Sequence, residues 1–288
     1  MSPDTSDALA MAKPKKKVDW ADEVRQLIVL VLAVLGVHSL VAKPFYIPSE
    51  SMLPTLLTGD RLIVSKFPYG YSYLSPSLPI LPEMSGRILG RYPDRGDIAV
   101  IKAPRDHEDY IKRVIGLPGD TVQMRNGQLW LNGVAVPKVA DGTTDIPVSA
   151  NTDCIGQWAQ YRVATADGSA VCRYPRFRET LPNGRSYQVL DLAEVPQDNT
   201  APEIVPEGHI FLMGDNRDNS EDSRFPVFMG GLAMLPIENL VGRAEFLTFS
   251  LDGSSEWLNP LSWVRALRPH RAFVSLRPSE ASAAIPTR

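Results

Sequence analysis

An uncharged segment near the start of the chain restricts its possible folds most. Residues 27–42, LIVLVLAVLGVHSLVA, follow a cluster of lysines at positions 13, 15, 16 and 17. As a helix these residues would span about 24 Å. A bilayer requires roughly 20 residues, because its hydrocarbon core is about 30 Å thick, so the run alone is too short. The preceding WADEVRQ is also typical of a helix, and Arg25 can extend to the lipid headgroups. The sequence therefore predicts one membrane-spanning helix over residues 19–42.

The lysines set the expected orientation of this helix. Positive charge stays on the cytoplasmic side, so residues 1–18 are expected to form a cytoplasmic tail, and the chain from Lys43 onward to lie outside. A cleaved signal peptide is the alternative, because it also combines a basic start with a short apolar core. The run offers only a weak small-x-small position at Ser39 and Val41, so we expect the anchor to be retained.

The remaining sequence predicts a mainly β fold. Short runs rich in valine, isoleucine and aromatic residues recur without a helical period of useful length. Asn126-Gly127, between TVQMR and QLWL, predicts a two-residue hairpin turn, and residues 117–120, LPGD, predict another turn. The 25 prolines also favour loops and short strands over long helices.

Composition divides the part beyond the anchor into regions. Residues 43–137 and 206–268 carry the strand patterns of one β domain, which residues 138–205, rich in Asp, Thr and Asn, interrupt as an inserted smaller β subdomain. Residues 269–288 are expected to be a disordered tail.

Two further segments have the composition of surfaces. Residues 68–94 are aromatic and proline-rich, and are expected to form a loop or hairpin, either beside the membrane, where tyrosine is favoured, or as an ordinary irregular loop. Residues 257–270, WLNPLSWVRALRPH, predict a short amphipathic segment that could place Trp257 and Trp263 at the membrane interface.

Cysteine count and net charge exclude several classes of site. The two cysteines, Cys154 and Cys172, form no CxxC, so a four-cysteine zinc site is excluded, and no metal or cofactor is predicted. A disulfide between them is favoured over two free thiols, because this segment is expected outside the cytoplasm. The net charge of −3 without a basic stripe argues against a nucleic-acid partner.

Familiar catalytic motifs are absent. The chain contains no HExxH, GxSxG, P-loop or GxGxxG pattern. Of its four histidines, only His107 and His209 stand where a catalytic base is conceivable, and neither has a supporting motif. Structural or solvated roles are therefore expected for both.

Lys112 is unusual because it stands in an apolar strand pattern, DYIKRVIG. In a strand it shares a face with Tyr110 and Val114. If that face is buried, desolvation lowers the pKa of the amine, and a shift from about 10.4 to about 8 leaves roughly a tenth of it neutral at pH 7. A neutral lysine can accept the proton of a serine hydroxyl without any histidine. A surface lysine on an edge strand is the alternative.

Two segments carry serines that could meet such a lysine. SESMLPTL, residues 49–56, follows the membrane helix closely, and GDNRDNSEDSR, residues 214–224, places Ser220 in a dense run of charge. Asp218, Ser220 and Asp222 alternate as in an EF-hand calcium loop, but the required glycine is replaced by Ser223 and no helices flank the segment. A tight turn held by Asp–Arg pairs, which carries Ser220 to the lysine, is predicted instead.

These segments, in this order after an N-terminal anchor, resemble bacterial type I signal peptidase. The resemblance covers residues 45–124 and 205–250 well and the part between them poorly, and it rests on SESMLPTL, RGDIAVI (95–101), YIKRVIGLPGD (110–120) and GDNRDNSEDSR. It implies a catalytic domain of antiparallel sheets with a variable insertion, and a serine endopeptidase that uses a Ser/Lys dyad without a cofactor.

The resemblance implies a role for each matching residue. Ser51 is the expected nucleophile and Lys112 the general base, while Ser49 and the Ser51 backbone amide are expected to form the oxyanion hole. Ser220 is expected to orient the lysine. Other residues are expected to shape or support the site, namely Tyr110, Met52, Pro54, Asp215 and the charged pair Asp222 and Arg224.

The implied substrates are exported preproteins, cut after small-x-small sequences such as Ala-x-Ala. Because their signal peptides lie in the bilayer, a nucleophile nine positions beyond Ala42 would meet the cleavage site at the outer face. The implied location is the bacterial inner membrane, with one pass, a cytoplasmic N-terminus and a periplasmic catalytic domain. Lipid and a nearby protein-export translocon are the other expected partners.

Three other functions are alternatives to this one. A self-cleaving repressor of the SOS type also uses serine and lysine, but it needs a DNA-binding helix-turn-helix and no anchor. A catalytically inactive, membrane-anchored scaffold would be favoured by a missing serine or lysine, and both are present. A specialised peptidase for pilin or conjugation proteins is a closer alternative, although the intact GDNRDNSEDSR favours the general enzyme.

Overall fold

A computed structural model describes residues 19–78 and 81–280. Within these residues the fold is mainly β with one long apolar helix, which confirms the predicted fold class. The helices are α1 (Trp20–Leu40) and α2 (Pro260–Arg265). The strands are β1 (Ala42–Tyr46), β2 (Asp60–Ser65), β3 (Ile98–Lys102), β4 (Asp109–Gly116), β5 (Thr121–Arg125), β6 (Gln128–Leu131), β7 (Val134–Ala135), β8 (Lys138–Pro147), β9 (Arg162–Ala164), β10 (Ala170–Thr180), β11 (Arg185–Val189), β12 (Glu203–Ile204), β13 (His209–Met213), β14 (Leu235–Pro236), β15 (Leu240–Ser250) and β16 (Ser279–Glu280).

Helix α1 is long enough to cross a membrane. Its 21 residues rise about 31 Å. An 18-residue stretch within it has a mean hydropathy of 1.7, and none of that stretch is buried inside the protein. Asp19 caps its start by accepting a hydrogen bond from the backbone of Ala21 at 3.1 Å. The helix ends at Leu40, two residues before the predicted end, because Ala42 already pairs with Ser65 in the sheet. The anchor therefore leads directly into strand β1.

The largest sheet has seven strands in the order β1-β2-β15-β3-β4-β13-β14, and all of its neighbours are antiparallel. Strand β4 lies between β3 and β13, away from the edges, whereas β1 is an edge strand. The hairpin between β5 and β6 turns at Asn126 and Gly127, with φ angles of 49° and 70°, which confirms that turn. The turn at residues 117–120 is also confirmed, since Asp120 donates its backbone N–H to the carbonyl of Leu117 at 2.9 Å.

Two smaller antiparallel sheets complete the fold. One has the order β16-β11-β10-β8 with β9 beside β10, and the other has the order β12-β5-β6-β7. Most of residues 138–205 belongs to the first of these, yet Leu181 and Val189 share a buried core with Ile115 of the large sheet. Strand β12 also pairs with β5. The division of the chain at residues 138 and 205 stays a prediction.

The expectation of a disordered tail from residue 269 is wrong for residues 269–280. Arg271 forms an ion pair with the buried Asp60 at 2.5 Å, and Leu276 is 5% exposed within the core beneath the large sheet. Strand β16 pairs with β11. These contacts order a segment whose own composition carries no strand or helix signal. Residues 281–288 lie outside the described part of the chain.

Residues 68–94 form an irregular segment, apart from one isolated bridge between Tyr71 and Ile88. The segment lies against the end of α1, since the hydroxyl of Tyr71 donates to the carbonyl of Leu40 at 2.7 Å and the backbone of Ser77 to the hydroxyl of Ser39 at 2.9 Å. Residues 79 and 80 are not among those described. A lipid contact of this segment, and of the exposed Trp257 and Trp263, stays a prediction.

Candidate active site

The predicted nucleophile lies in the loop between β1 and β2. Met52, which follows it, is fully buried in the core beneath the large sheet, and Leu53 packs into a second cluster with Cys154 and Cys172. Those two cysteines form a disulfide. Pro54 is half-buried, and its peptide bond with Leu53 is cis. Side chains on both sides therefore hold the backbone of the nucleophile loop in place.

Lys112 lies in the middle of the large sheet, on β4, so the edge-strand alternative is excluded. It is 4% exposed, and its Nζ lies 2.8 Å from the Oγ of Ser51. The ring centre of Tyr110 is 5.6 Å from the same nitrogen. Burial lowers the pKa of Lys112 from 10.5 to about 8, although carboxylates such as Asp222 partly oppose the shift. The site thus holds an amine that can lose its proton near neutral pH, next to a serine hydroxyl.

Two hydrogen-bond donors lie next to the Ser51 hydroxyl. The exposed Ser49 carries its Oγ 3.4 Å from the Oγ of Ser51. Within the described residues the backbone N–H of Ser51 makes no hydrogen bond. Both groups can therefore donate to the oxygen of a substrate carbonyl, as an oxyanion hole requires.

The segment 214–224 forms a tight turn that docks on the nucleophile loop. The backbone N–H of Asn216 donates to the carbonyl of Ser51 at 3.1 Å. A Cβ at Gly214 would lie 2.3 Å from the Oγ of Ser220 and 2.5 Å from the carbonyl oxygen of Ser51. Only glycine therefore allows this close approach.

A buried ion pair holds the turn together from inside. The carboxylate of Asp222 accepts hydrogen bonds from the Nε of Arg224 at 2.9 Å and from the backbone of Gly214 at 3.0 Å. A second nitrogen of Arg224 donates to the carbonyl of Arg217 at 2.6 Å. Both side chains of the pair are fully buried. The Asp–Arg pairing inferred from the sequence is therefore present in the turn.

Ser220 lines the same groove as Ser51 and Lys112. It is 7% exposed, and its Oγ has no hydrogen-bond partner within the described residues. The structure brings this hydroxyl into the site without a bond to the lysine, so the orienting role of Ser220 stays a prediction.

A buried ion pair joins β4 to the turn formed by residues 214–224. Arg113 binds Asp215 through two hydrogen bonds of 2.7 and 2.6 Å, and both side chains are at most 2% exposed. The hydroxyl of Thr55 also donates to Asp215 at 2.5 Å. Asp215 is a predicted support residue, but sequence reasoning missed its partner, Arg113. The available signal was the pair Lys112-Arg113 in an apolar strand, because adjacent strand residues point to opposite faces.

A second buried pair connects the turn to β10. Arg217 binds Glu179 at 2.8 and 2.5 Å, and the hydroxyl of Tyr187 donates to Glu179 at 2.9 Å. The guanidinium of Arg113 lies 4.2 Å from the centre of the Tyr187 ring. Sequence reasoning missed this pair too, since its members stand 38 positions apart and no local pattern joins them.

Replacing Arg113 with methionine is expected to lower the free energy of unfolding by about 3–5 kcal/mol, because Asp215 would remain buried without its partner. Thermal and denaturant unfolding in detergent would measure the loss. The matched control is Arg173→Met, which removes the exposed pair with Asp145 and is expected to change stability by less than about 1 kcal/mol. Equal effects of the two variants would contradict the structural role of the Arg113 pair.

An open groove of about 730 Å³ contains the site. It is lined by the end of strand β1, by residues 47–51, by the first half of β4 and by residues 218–221. No histidine is among its lining residues. His107 is exposed on the loop before β4, and the Nδ1 of His209 lies 3.0 Å from the carbonyl oxygen of Glu207. Neither histidine is positioned to act as the base.

A family model and relatives in sequence agree on one family. A family model described as "Signal peptidase, peptidase S26" matches residues 20–249. Signal peptidase I of Rickettsia typhi (strain ATCC VR-144 / Wilmington) is 34% identical over 266 residues, which cover 86% of this chain and 90% of that protein. Signal peptidase I of Rickettsia conorii (strain ATCC VR-613 / Malish 7) is 34% identical over 272 residues, with 88% and 91% covered. The solved structure of a signal peptidase I from Enterococcus faecalis V583 covers 53% of this chain and 97% of its own, at 24% identity and a TM-score of 0.28.

Proposed function

The chain belongs to the signal peptidase family, peptidase S26, and we propose that Ser51 and Lys112 are the dyad with which it cuts preproteins. It is a membrane-anchored serine endopeptidase that removes signal peptides. The observation that carries the assignment of the dyad is the 2.8 Å contact between the Lys112 Nζ and the Ser51 Oγ. This contact lies in an open groove, where a peptide can reach it.

In the first step, the neutral Nζ of Lys112 accepts the hydroxyl proton of Ser51 while the Oγ attacks the carbonyl carbon of the scissile peptide bond. The carbonyl oxygen becomes negatively charged, and it accepts hydrogen bonds from the backbone N–H of Ser51 and the hydroxyl of Ser49. The Lys112 ammonium then gives its proton to the leaving amine, so the mature protein departs and an acyl-enzyme remains.

In the second step, Lys112 is neutral again and accepts a proton from a water molecule that attacks the ester carbonyl. The tetrahedral intermediate collapses, the lysine returns the proton to the Ser51 Oγ, and the signal peptide leaves with a new carboxylate. Burial makes this cycle possible near neutral pH, since the pKa of Lys112 is lowered to about 8.

The edge strand β1 supports an extended binding mode for the substrate. Within the described residues β1 pairs only with β2, so its other edge offers backbone donors and acceptors to a peptide. In an extended peptide, every second side chain points to the same face. Two small residues separated by one variable residue would therefore both face the groove, which supports cleavage after Ala-x-Ala sequences.

The position of the site relative to α1 supports activity at the membrane surface. Strand β1 begins two residues after the helix ends at Leu40 and leads directly to the nucleophile loop. The Cys154–Cys172 disulfide supports an oxidising compartment for this part of the chain. We infer a cytoplasmic N-terminus, a catalytic domain on the outer face of the bacterial inner membrane, and a location near lipid and the export translocon.

Cleavage of a purified preprotein by the full-length chain in detergent tests this function. Mass spectrometry is expected to find one cut, directly after the second alanine of an Ala-x-Ala site. A matched preprotein with tryptophan in place of that alanine is expected to react at least about 100-fold more slowly, because the proposed specificity accepts a methyl group where the indole ring would have to bind. Cleavage of both at similar rates would contradict the proposed specificity. No cleavage of several unrelated preproteins would favour the specialised pilin or conjugation peptidase.

A further inference from the structure

Three aspartates from separate parts of the chain meet beside the turn formed by residues 214–224. One carboxylate oxygen from each of Asp191, Asp198 and Asp218 lies within 4.8 Å of one from each of the others. Asp191 follows β11, Asp198 lies in a short 3-10 turn at residues 196–198, and Asp218 belongs to the turn that carries Ser220. We propose that these three carboxylates form a binding site for a divalent cation, and specifically for calcium.

Two carboxylate oxygens of this cluster lack the partners that buried oxygens need. Asp198 is 5% exposed, and its Oδ2 accepts a hydrogen bond from Val195 at 2.9 Å, but its Oδ1 is buried with no partner within the described residues. The Oδ1 of Asp218 is likewise buried without a described partner, while its Oδ2 accepts from the backbones of Leu192 and Ala193. Unpaired buried charge is strongly unfavourable, so a cation is the expected counterpart.

The surrounding charges leave a balance that suits a divalent ion. Lys138 contacts Asp191, and its Nζ also lies 2.9 Å from the carbonyl oxygen of Gly127. The positive charge of Arg224 is balanced by its own partner, Asp222. Three carboxylates against one lysine therefore leave two negative charges.

The type and number of the ligands favour calcium over magnesium. All three side-chain ligands are oxygens, which hard cations prefer, and three protein carboxylates suit calcium better than magnesium, which usually keeps several waters and binds one or two carboxylates. A cavity of about 410 Å³ adjoins Asp191 and Asp198 and is lined also by Asn126, Glu194 and Asn199. It has room for the water ligands that complete a coordination of six to eight. Magnesium requires a tighter octahedron at about 2.1 Å.

The proposed site differs from the EF-hand alternative considered for residues 218–223. In the structure Asp222 binds Arg224 inside the turn, so it is not available as a calcium ligand, and only Asp218 is common to both ideas. The ion would instead connect the loops at residues 191 and 198 to the turn formed by residues 214–224. It would hold that turn in position without touching the reacting atoms.

Calcium binding to the full-length protein in detergent tests the proposal independently of any cleavage assay. After removal of metal with EDTA, isothermal titration with CaCl2 is expected to show one saturable site with a Kd of about 10⁻⁴–10⁻³ M, the range of extracellular calcium modules. At ten times the Kd, the Tm is expected to rise by about 3–6 °C.

Two aspartate variants and a control locate the ion. Asp198→Asn is expected to weaken calcium binding at least tenfold, and Asp191→Asn serves the same purpose if the first variant does not fold. The matched control is Asp145→Asn, whose exposed carboxylate pairs with Arg173 on the surface and whose loss should leave the affinity unchanged. The proposal is overturned if wild type binds no calcium, which would assign the unpaired oxygens to a buried water or a shared proton. It is also overturned if both cluster variants bind as wild type does, or if magnesium raises the Tm as much as calcium.

Discussion

Replacing Ser51 with alanine is expected to lower kcat for preprotein cleavage at least about 1,000-fold, because the hydroxyl that contacts Lys112 is removed and no acyl-enzyme can form. Single-turnover assays with excess enzyme would measure this loss without interference from product release. The variant is expected to stay folded, since the loop is held by Met52 and Leu56, both fully buried.

Ser65→Ala is the matched control for the nucleophile. Ser65 is 5% exposed, and its hydroxyl is bonded to Glu245, outside the groove. Its loss also removes a buried serine hydroxyl, yet it should leave kcat within a few-fold of wild type. If Ser51→Ala retained a tenth of the wild-type rate, Ser51 would not be the nucleophile.

Replacing Lys112 with methionine is expected to reduce cleavage to a similar extent, at least about 1,000-fold in kcat, because among the described groove residues Lys112 is the amine bonded to the Ser51 hydroxyl and its loss leaves the serine proton without that acceptor. Methionine keeps most of the length of the side chain and suits a buried site. The same preprotein assay measures the loss, and circular dichroism with thermal unfolding checks the fold.

The stability of this variant gives a second expectation. Burial lowers the pKa of Lys112 from 10.5 to about 8, so between these values the unfolded chain binds a proton that the folded chain does not. Stability therefore falls as the pH drops through this window, by on the order of 3 kcal/mol in total, and the loss is fully present below pH 8. The Lys112→Met variant lacks the titrating amine and therefore does not suffer this loss of stability, so it is expected to be no less stable than wild type at pH 7.

Lys66→Met is an unusually close control for the lysine. Lys66 is 3% exposed, and burial lowers its pKa to about 8 as well, but its Nζ lies 3.1 Å from the carbonyl oxygen of Ser75, outside the groove. Its replacement should keep cleavage within a few-fold of wild type. Comparable activity in the Lys112 and Lys66 variants would show that a buried amine at position 112 is not the base, and His107 would then have to be reconsidered.

Local sequence signals predicted the elements of the fold well. The apolar run predicted α1 to within two residues at its end, and Asn126-Gly127 predicted a hairpin because only that kind of pair readily adopts two positive φ angles. Local patterns failed where long-range contacts decide the structure. Arg271 meets Asp60 across 211 positions, so nothing in the composition near residue 271 indicates that the segment is ordered.

The candidate site shows the same limit. The apolar surroundings of Lys112 made burial a conditional expectation, and the resemblance to signal peptidase supplied its partner, Ser51, which stands 61 positions away. The pair of Arg113 and Asp215 joins residues 102 positions apart. Such pairs form because charges buried by the fold must find a partner, and that requirement becomes visible only once the strands are in place.

The pH dependence of kcat/KM, measured with a peptide substrate that has no titrating group between pH 5 and 10, tests the Ser–Lys dyad most directly. The base must be neutral to accept the serine proton, so kcat/KM is expected to rise with pH through an apparent pKa of about 8, the value that burial gives Lys112. A rise centred near pH 6.5, the ordinary pKa of histidine, or a flat profile from pH 6 to 9 would contradict Lys112 as the general base.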